Sequence, residues 1–309
     1  LKLRALMCVP LQARRDEPAG DSRARGVLYV DSKAATREFT QQDLRYFTAL
    51  SQQIAVALES ARLHLDSLMR TRLEQSLELA SAIQRGLMPQ VPDDVPGYEL
   101  FGWYLSAERT SGDFYDFVRT RRGHYGVVVG DVTGHGIEPS ITAFQAKYLL
   151  RVFLRQYRDP AQALEELNAQ MAAMGRPEEL ISLCVIVFDT EAGTLRFASA
   201  GHPAAWLWHD REVRPLRSTG PLLMLDPGAS YHSREIPLDN GDLCLLYTDG
   251  LAEARDGESL FGEDRIANTL RRDPGIAPDV LCKSLLEAAR DFSSGPITDD
   301  VAILAIRRE

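Results

Sequence analysis

Residues Tyr125 to Gly136 read Tyr-Gly-Val-Val-Val-Gly-Asp-Val-Thr-Gly-His-Gly. A β-branched run, Val127 to Val129, ends at Gly130, and a carboxylate, Asp131, follows at once. Gly134 and Gly136 then bracket His135. An acid at the end of a buried strand is held rigidly, and glycines after it keep the backbone approachable. A fixed anionic oxygen, small residues around it and a nearby histidine make a site for a hard metal ion. Taken alone, the stretch equally fits a strand-to-helix turn with a capping Asp and no chemistry. Other acids bear on the choice. Ser111-Gly112-Asp113-Phe114-Tyr115-Asp116-Phe117 lies upstream, and Leu245-Leu246-Tyr247-Thr248-Asp249-Gly250 ends a second strand in Asp-Gly. Thr298-Asp299-Asp300-Val301 opens a final strand with an acid pair. Four acidic positions at strand ends can converge in space. An all-oxygen set selects Mg²⁺ or Mn²⁺, and zinc is disfavoured without Cys or paired His.

The elements that would position these acids follow from periodicity and turn chemistry. Strands are predicted at 98–106, 113–119, 124–131, 180–188, 194–200, 204–209, 213–217, 231–237, 242–248 and 300–307. Those between 204 and 248 read as a continuing antiparallel meander. Helices are predicted at 136–156, 160–173, 263–271 and 277–292. Strand runs interrupted by paired helices imply an α+β fold, with two stacked antiparallel sheets and helices outside. Pro89, Pro92, Pro96 and Gly97 form the linker into this region.

These motifs, together with Ala198-Ser199-Ala200-Gly201-His202-Pro203, resemble the metal-dependent serine/threonine phosphatases of the PPM class (protein phosphatase 2C type), and within it the SpoIIE/RsbU-like branch. The resemblance covers roughly 85–308, with the motifs in the expected order. It implies a PPM-type α-β-β-α sandwich and two Mn²⁺ or Mg²⁺ ions. By resemblance, Asp131 bridges both ions. Asp113 and the carbonyl of Val132 complete one site, and Asp249 and Asp299 the other, with Asp299 chosen over Asp300. Two such ions about 3.5–4 Å apart clamp a phosphoester and lower the pKa of a bridging water. His135 is the candidate general acid for the leaving seryl or threonyl oxygen. The branch departs from the class here, since many members carry Lys at this position. His202 reads as structural. Arg109 is the candidate for the phosphate-binding arginine of the class. Thr110-Ser111-Gly112 stands where the branch usually has a Gly-Gly pair. The implied substrate is a phosphorylated STAS-domain anti-anti-sigma factor, in partner-switching control of transcription. Two other readings stay open: a catalytically silent phosphatase-fold sensor or scaffold, and a two-metal hydrolase of small phosphoesters.

The N-terminal part is different. Residues 1–12 and 26–31 read as strands around a polar loop, and Thr40 and Asp43 form a helix-opening capping box. Cys-Val-Pro-Leu and Gly-Val-Leu-Tyr-Val-Asp resemble the C-terminal part of a GAF sensor domain. That resemblance implies that the first strands and most of a ligand pocket lie upstream of Leu1. Residues 41–88 lack proline and predict one long helix. Leu44, Phe47, Ile54, Leu58, Ala61, Leu65 and Leu68 keep heptad spacing, with Ser51 the polar exception. The stripe then shifts phase to Leu73, Leu77, Ala80, Ile83 and Leu87. Such a stripe needs a partner, and a coiled-coil homodimer supplies one. At 1.5 Å per residue the helix would reach about 70 Å. The expected organisation is a GAF-like part at 1–62, a linker helix at 63–90 and a phosphatase domain at 91–309.

The 309 residues carry a formal net charge of −9. Residues 1–88 hold 13 Lys+Arg against 10 Asp+Glu, whereas residues 89–309 hold 22 against 34. An acidic catalytic half argues against nucleic acid as a partner. No apolar run is long enough to cross a membrane. Four scattered cysteines without zinc spacing read as reduced core residues of a cytoplasmic protein.

Overall fold

The computed structural model describes residues 5–12, 26–32, 38–107, 110–134, 136–174 and 178–309, with the backbone alone at Ile83, Arg85 and Leu87. The chain divides into two compact units, Leu1–Ser76 and Leu77–Glu309.

In the first unit, β1 (Ala5–Leu11) and β2 (Gly26–Ser32) pair antiparallel, Cys8 opposite Tyr29. Helix α1 (Gln41–Leu87) starts at the predicted capping box. The Thr40 N–H donates to Asp43 Oδ2 at 2.8 Å, and the Asp43 N–H donates to Thr40 Oγ1 at 3.2 Å. The helix runs unbroken for 47 residues. Ser51 and Ala55 are buried, but Leu58, Leu63, Leu65, Leu68, Met69 and Leu73 are exposed. Cys8 is also exposed, which corrects its reading as a core residue, because alternate residues of a two-stranded ribbon face outward.

The second unit is the α-β-β-α sandwich. Its strands and helices follow as β3 (Tyr98–Leu105), β4 (Phe114–Arg121), β5 (His124–Val132), α2 (Ile137–Gln156), α3 (Pro160–Met174), β6 (Ile181–Asp189), β7 (Thr194–Ala200), β8 (Ala205–His209), β9 (Glu212–Leu216), β10 (Arg234–Pro237), β11 (Leu243–Tyr247), α4 (Asp249–Ala252), β12 (Arg255–Asp256), β13 (Ser259–Leu260), α5 (Glu263–Arg272), α6 (Pro278–Phe292) and β14 (Val301–Arg308). One five-stranded sheet has the order β10-β7-β6-β5-β4, the other β3-β14-β11-β8-β9, and all pairings are antiparallel. The expected meander over 204–248 is therefore split. Strand β10 leaves the second sheet and pairs with β7 of the first, Ile236 opposite Leu195. The long connection before it makes this crossing possible, pinned by Leu223, whose N–H donates to the Ile181 carbonyl at 2.9 Å. The short α4 and the β12–β13 hairpin carry too little periodicity to be read from sequence.

Three apolar layers hold the sandwich. Tyr115, Phe117, Val127, Val129, Leu246 and Leu304 fill the space between the sheets. Val118, Val128 and Val132 face α2 and α3, whereas Leu245, Val301 and Ile303 face α5 and α6. Each fully buried Val, such as Val127 and Val129, contributes roughly 1.5–3 kcal/mol relative to exposure. Alternation along the strands then sets the direction of the acids. Asp131 shares parity with Val127 and Val129, and Asp113 with Tyr115 and Phe117, so both belong to the inter-sheet face at its open end.

Candidate metal centre

Asp113 and Asp131 come together because β4 and β5 are paired neighbours, Phe114 opposite Gly130. The turn before Asp113 is pressed against the end of β5. The Val132 N–H donates to the Gly112 carbonyl at 3.3 Å. A Cβ at Gly112 would overlap the Val132 carbonyl oxygen and come within 3.2 Å of Asp131 Oδ1. Only glycine admits this approach, so the Thr-Ser-Gly turn keeps its glycine at the position that needs it. After Asp131 the chain turns left-handed at Gly134 (φ 97°) and Gly136 (φ 103°), then enters α2.

Asp249 arrives from the other sheet, at the end of β11 and the start of α4. A Cβ at Gly250 would overlap the Asp300 carbonyl oxygen, so the Asp249 turn lies directly on the Asp299–Asp300 segment. The acid pair divides its work. Asp300 Oδ1 accepts the Ala107 N–H at 2.8 Å and the Ser106 hydroxyl at 3.2 Å, tying down the loop after β3. Asp299 is exposed, and its Oδ1 accepts only the Asp300 N–H among the described residues, at 2.8 Å. Of the pair, Asp299 is the more exposed carboxylate.

The carboxyls of the cluster are buried and repel one another. Burial, followed by repulsion from Asp131, holds the Asp113 carboxyl well above the usual range. Burial and then the Asp249 charge push Asp131 up to about 6. Burial and then Asp299 raise Asp249. Asp113 Oδ2 is buried with no hydrogen-bond partner among the described residues. An unsatisfied buried carboxylate oxygen costs a few kcal/mol unless a ligand takes it. The donor set is all oxygen, rigidly mounted on strand ends, and fits Mg²⁺ or Mn²⁺. A cleft of about 330 Å³ adjoins the cluster, lined among others by Gly250, Glu253, Arg255, Ser294, Thr298 and Asp299.

Not every expected residue falls in this picture. His135 and Arg109 lie outside the described residues. Asp116, in the same motif as Asp113, points the other way, as three residues along a strand require. It pairs with Arg151 of α2 and lies 3.8 Å from the buried Lys147 ammonium. A second group, His209, Asp239 and Asp242, was not foreseen. It sits at the opposite end of β11 from Asp249. His209 Nδ1 meets Asp242 Oδ2 at 2.6 Å, the Asp239 N–H donates to the same oxygen at 2.7 Å, and His209 Nε2 lies 3.5 Å from Asp210 Oδ2. The approach of Asp239 and Asp242 in a tight turn was visible in the sequence, but the meeting with His209 needs the β8–β11 pairing.

Comparison with known proteins bears on this geometry. The family model described as Stage II sporulation protein E (SpoIIE) matches residues 121–309, well over half of the chain. The chain belongs to the SpoIIE family. Its second unit is a PPM-type phosphatase domain. A GAF-domain model matches residues 1–58. The chain is 23% identical to Protein IcfG of Synechocystis over 77% of its own length and 42% of IcfG. It is 19% identical to the phosphoserine phosphatase RsbU of Bacillus subtilis, covering 78% of this chain and 72% of RsbU. The chain thus spans less than half of one curated relative and under three quarters of the other. Among solved structures, the SiaA-PP2C domain of Pseudomonas aeruginosa superposes with a TM-score of 0.70 at 24% identity, over 78% of this chain and 99% of that domain. That likeness shows the shared fold. Among the described residues no helix is long and apolar enough to cross a membrane.

Proposed function

We propose that this chain is a metal-dependent phosphoserine/phosphothreonine protein phosphatase. Its substrate would be a phosphorylated STAS-domain protein in a cytoplasmic partner-switching system. The observation that carries the reading is the buried, unpartnered Asp113 Oδ2 among mutually repelling acids, in a domain of the SpoIIE family. Asp131 stands centrally and would bridge two Mn²⁺ or Mg²⁺ ions, with Asp113 and the Val132 carbonyl on one side and Asp249 and Asp299 on the other. Two such ions supply a low-pKa water and a clamp on phosphoester oxygens. The chain's own residues hold the acids on two rigid sheets and leave an open cleft beside them. His135 would protonate the leaving oxygen, and Arg109 would bind phosphate. The domain organisation would be 1–62 GAF-like, 63–90 linker helix and 91–309 phosphatase, with a homodimer formed through α1. The relatives support the substrate class, since RsbU is named a phosphoserine phosphatase.

The test is phosphate release from a phosphoserine STAS protein and from small phosphoesters, with Mn²⁺, Mg²⁺ or a chelator present. Metal-dependent release from the protein alone supports the proposal. No release from any substrate makes the chain a silent scaffold, and turnover of the small esters alone makes it a metabolite hydrolase.

A further inference from the structure

The cleft beside the acid cluster is bounded by Asp299 and Gly250, by the β12–β13 hairpin and by the segment after α6. Its volume of about 330 Å³ lies at the lower end of the range for ligand sites, about 300–1,000 Å³. Among the described residues lining it, Arg255 is the one cation, against the acids Glu253 and Asp299. The Arg255 backbone is fixed. Its carbonyl accepts the Ser293 hydroxyl at 3.0 Å and the Ser294 N–H at 3.2 Å. Next to it, the Ala254 carbonyl accepts the Phe261 N–H at 2.8 Å. The Arg255 side chain is exposed, and its guanidinium lies 3.5 Å from Glu253 Oε2. An exposed pair of that length contributes little, because water and salt screen it, so an incoming anion can take the place of Glu253. Glu253 in turn stands near Asp249: after burial and Asp299, its charge is the next cause of that carboxyl's upward shift. The guanidinium is thus one carboxylate removed from the acid cluster.

Charge decides what this cleft can hold. Residues 89–309 carry 22 Lys+Arg against 34 Asp+Glu, so most of the domain repels an acidic segment, which needs a cation where it lies. A planar guanidinium on a fixed backbone donates two parallel N–H bonds to a carboxylate. The phosphate of a substrate belongs with the ions on the acids, and Glu253 stands between Asp249 and Arg255. We propose that Arg255 is a specificity-determining residue: the cleft receives the chain flanking the phosphoserine, and Arg255 pairs with an acidic side chain there, displacing Glu253. The enzyme thereby prefers phosphoserine sites with Asp or Glu close by in the sequence. The inference rests on the reading that the neighbouring acids hold the catalytic ions.

The experiment measures kcat/KM of the full chain with Mn²⁺ on three phosphoserine peptides that differ only in the flanking residues, Glu, Gln or Lys. Wild type is expected to favour the Glu peptide over the Gln peptide about tenfold, the scale of one charge-assisted hydrogen bond, with the difference in KM. In Arg255→Gln the ratio should fall to about one. Arg255→Lys should keep part of it, and Arg255→Glu should turn the preference towards the Lys peptide. A ratio within one sample is not moved by a loss of folded protein, which lowers all three rates alike. Equal rates on the three peptides in wild type, or a preference that survives in Arg255→Gln, overturns the inference and leaves the phosphatase reading intact. An equal loss on all three peptides in Arg255→Gln, with the wild-type ratio kept, places Arg255 on the phosphate and overturns the flanking role. Release from a phosphoserine STAS protein but from no peptide also overturns the inference alone. Release from neither overturns the phosphatase reading and this inference with it.

Discussion

His202 Nε2 lies 3.1 Å from the carbonyl oxygen of Tyr247, joining the two sheets beside the acid cluster. A carbonyl only accepts, so Nε2 carries the proton and Nδ1 accepts from the Ser182 hydroxyl, 2.7 Å away. Ser182 is the cross-strand partner of Asp131, and Tyr247 stands two residues before Asp249. The histidine therefore ties together the strands that carry acids from opposite sheets.

Burial pushes the His202 imidazole down to about 4 from an ordinary 6.5. The unfolded chain then binds the extra proton between those values. Stability from this group is complete above about pH 6.5 and is lost as the pH falls towards 4, by up to about 3 kcal/mol. Urea unfolding of chelator-treated protein from pH 4.5 to 7.5 should show His202→Gln much less stable than wild type at pH 7. The gap should narrow steadily on acidification. A gap that ignores pH would show that the ring's charge state plays no part.

The Asp116 carboxylate is almost wholly buried between Arg151 and Lys147 and anchors α2 to β4. Burial pulls the Lys147 ammonium down to about 8, and the Asp116 charge opposes the shift. Removing the carboxylate takes away the anion that both cations face. Asp116→Ala should cost about 3–5 kcal/mol of stability. Because this cluster faces α2 rather than the metal acids, Mn²⁺ affinity in the folded fraction should stay native. Thermal unfolding and titration of one sample read both quantities.

Much of this architecture was legible in the sequence. Val127–Val129, a β-branched run ending in Gly-Asp, reads as a buried strand, and β5 is one. Thr40 and Asp43 announced the start of α1 through local hydrogen bonds alone. What stayed hidden depends on contacts between distant residues. Nothing local marks β10 as a strand of the first sheet, nor Gln84 as a partner of Ser111, 27 positions away. Asp300 and Asp299 are the same residue type side by side, and the Ala107 and Ser106 bonds of Asp300, formed with a distant loop, are not visible locally.

Asp131→Asn should abolish phosphatase activity, since the change weakens the one acid shared by both proposed ions. Asp249→Ala and Asp299→Ala should each weaken the same ion. Asp249 is raised in part by the Asp299 charge, so the two already interact. Their losses in Mn²⁺ affinity should be non-additive, as for neighbours acting as a unit. Additive losses by calorimetry would assign them to separate sites, and full activity in Asp131→Asn would remove the two-ion arrangement.

The long helix should act as a dimerising relay. Along α1 the heptad positions Leu58, Leu65 and Leu68 are exposed within the chain, and so is Leu73 after the phase change. A continuous apolar stripe left in water is unfavourable, and a second copy of the helix covers it at the cost of no new fold. In such a dimer the phase change near Met69–Leu73 would locally relax the supercoil, and a modest signal would move the helix between two packings. The far end of the helix delivers Gln84 to Ser111, beside the acids. Inserting residues turns everything downstream by about 100° each. One, two, three, four or seven alanines placed after Leu68 should therefore give activity that varies periodically, with seven restoring near-native turnover. A few kcal/mol of differential binding at the sensor end would suffice to shift the population of active subunits. Light scattering and phosphate release from a phosphoprotein read the two halves of the prediction. A monomer at micromolar concentration, or turnover indifferent to every insertion, would reduce α1 to a passive spacer.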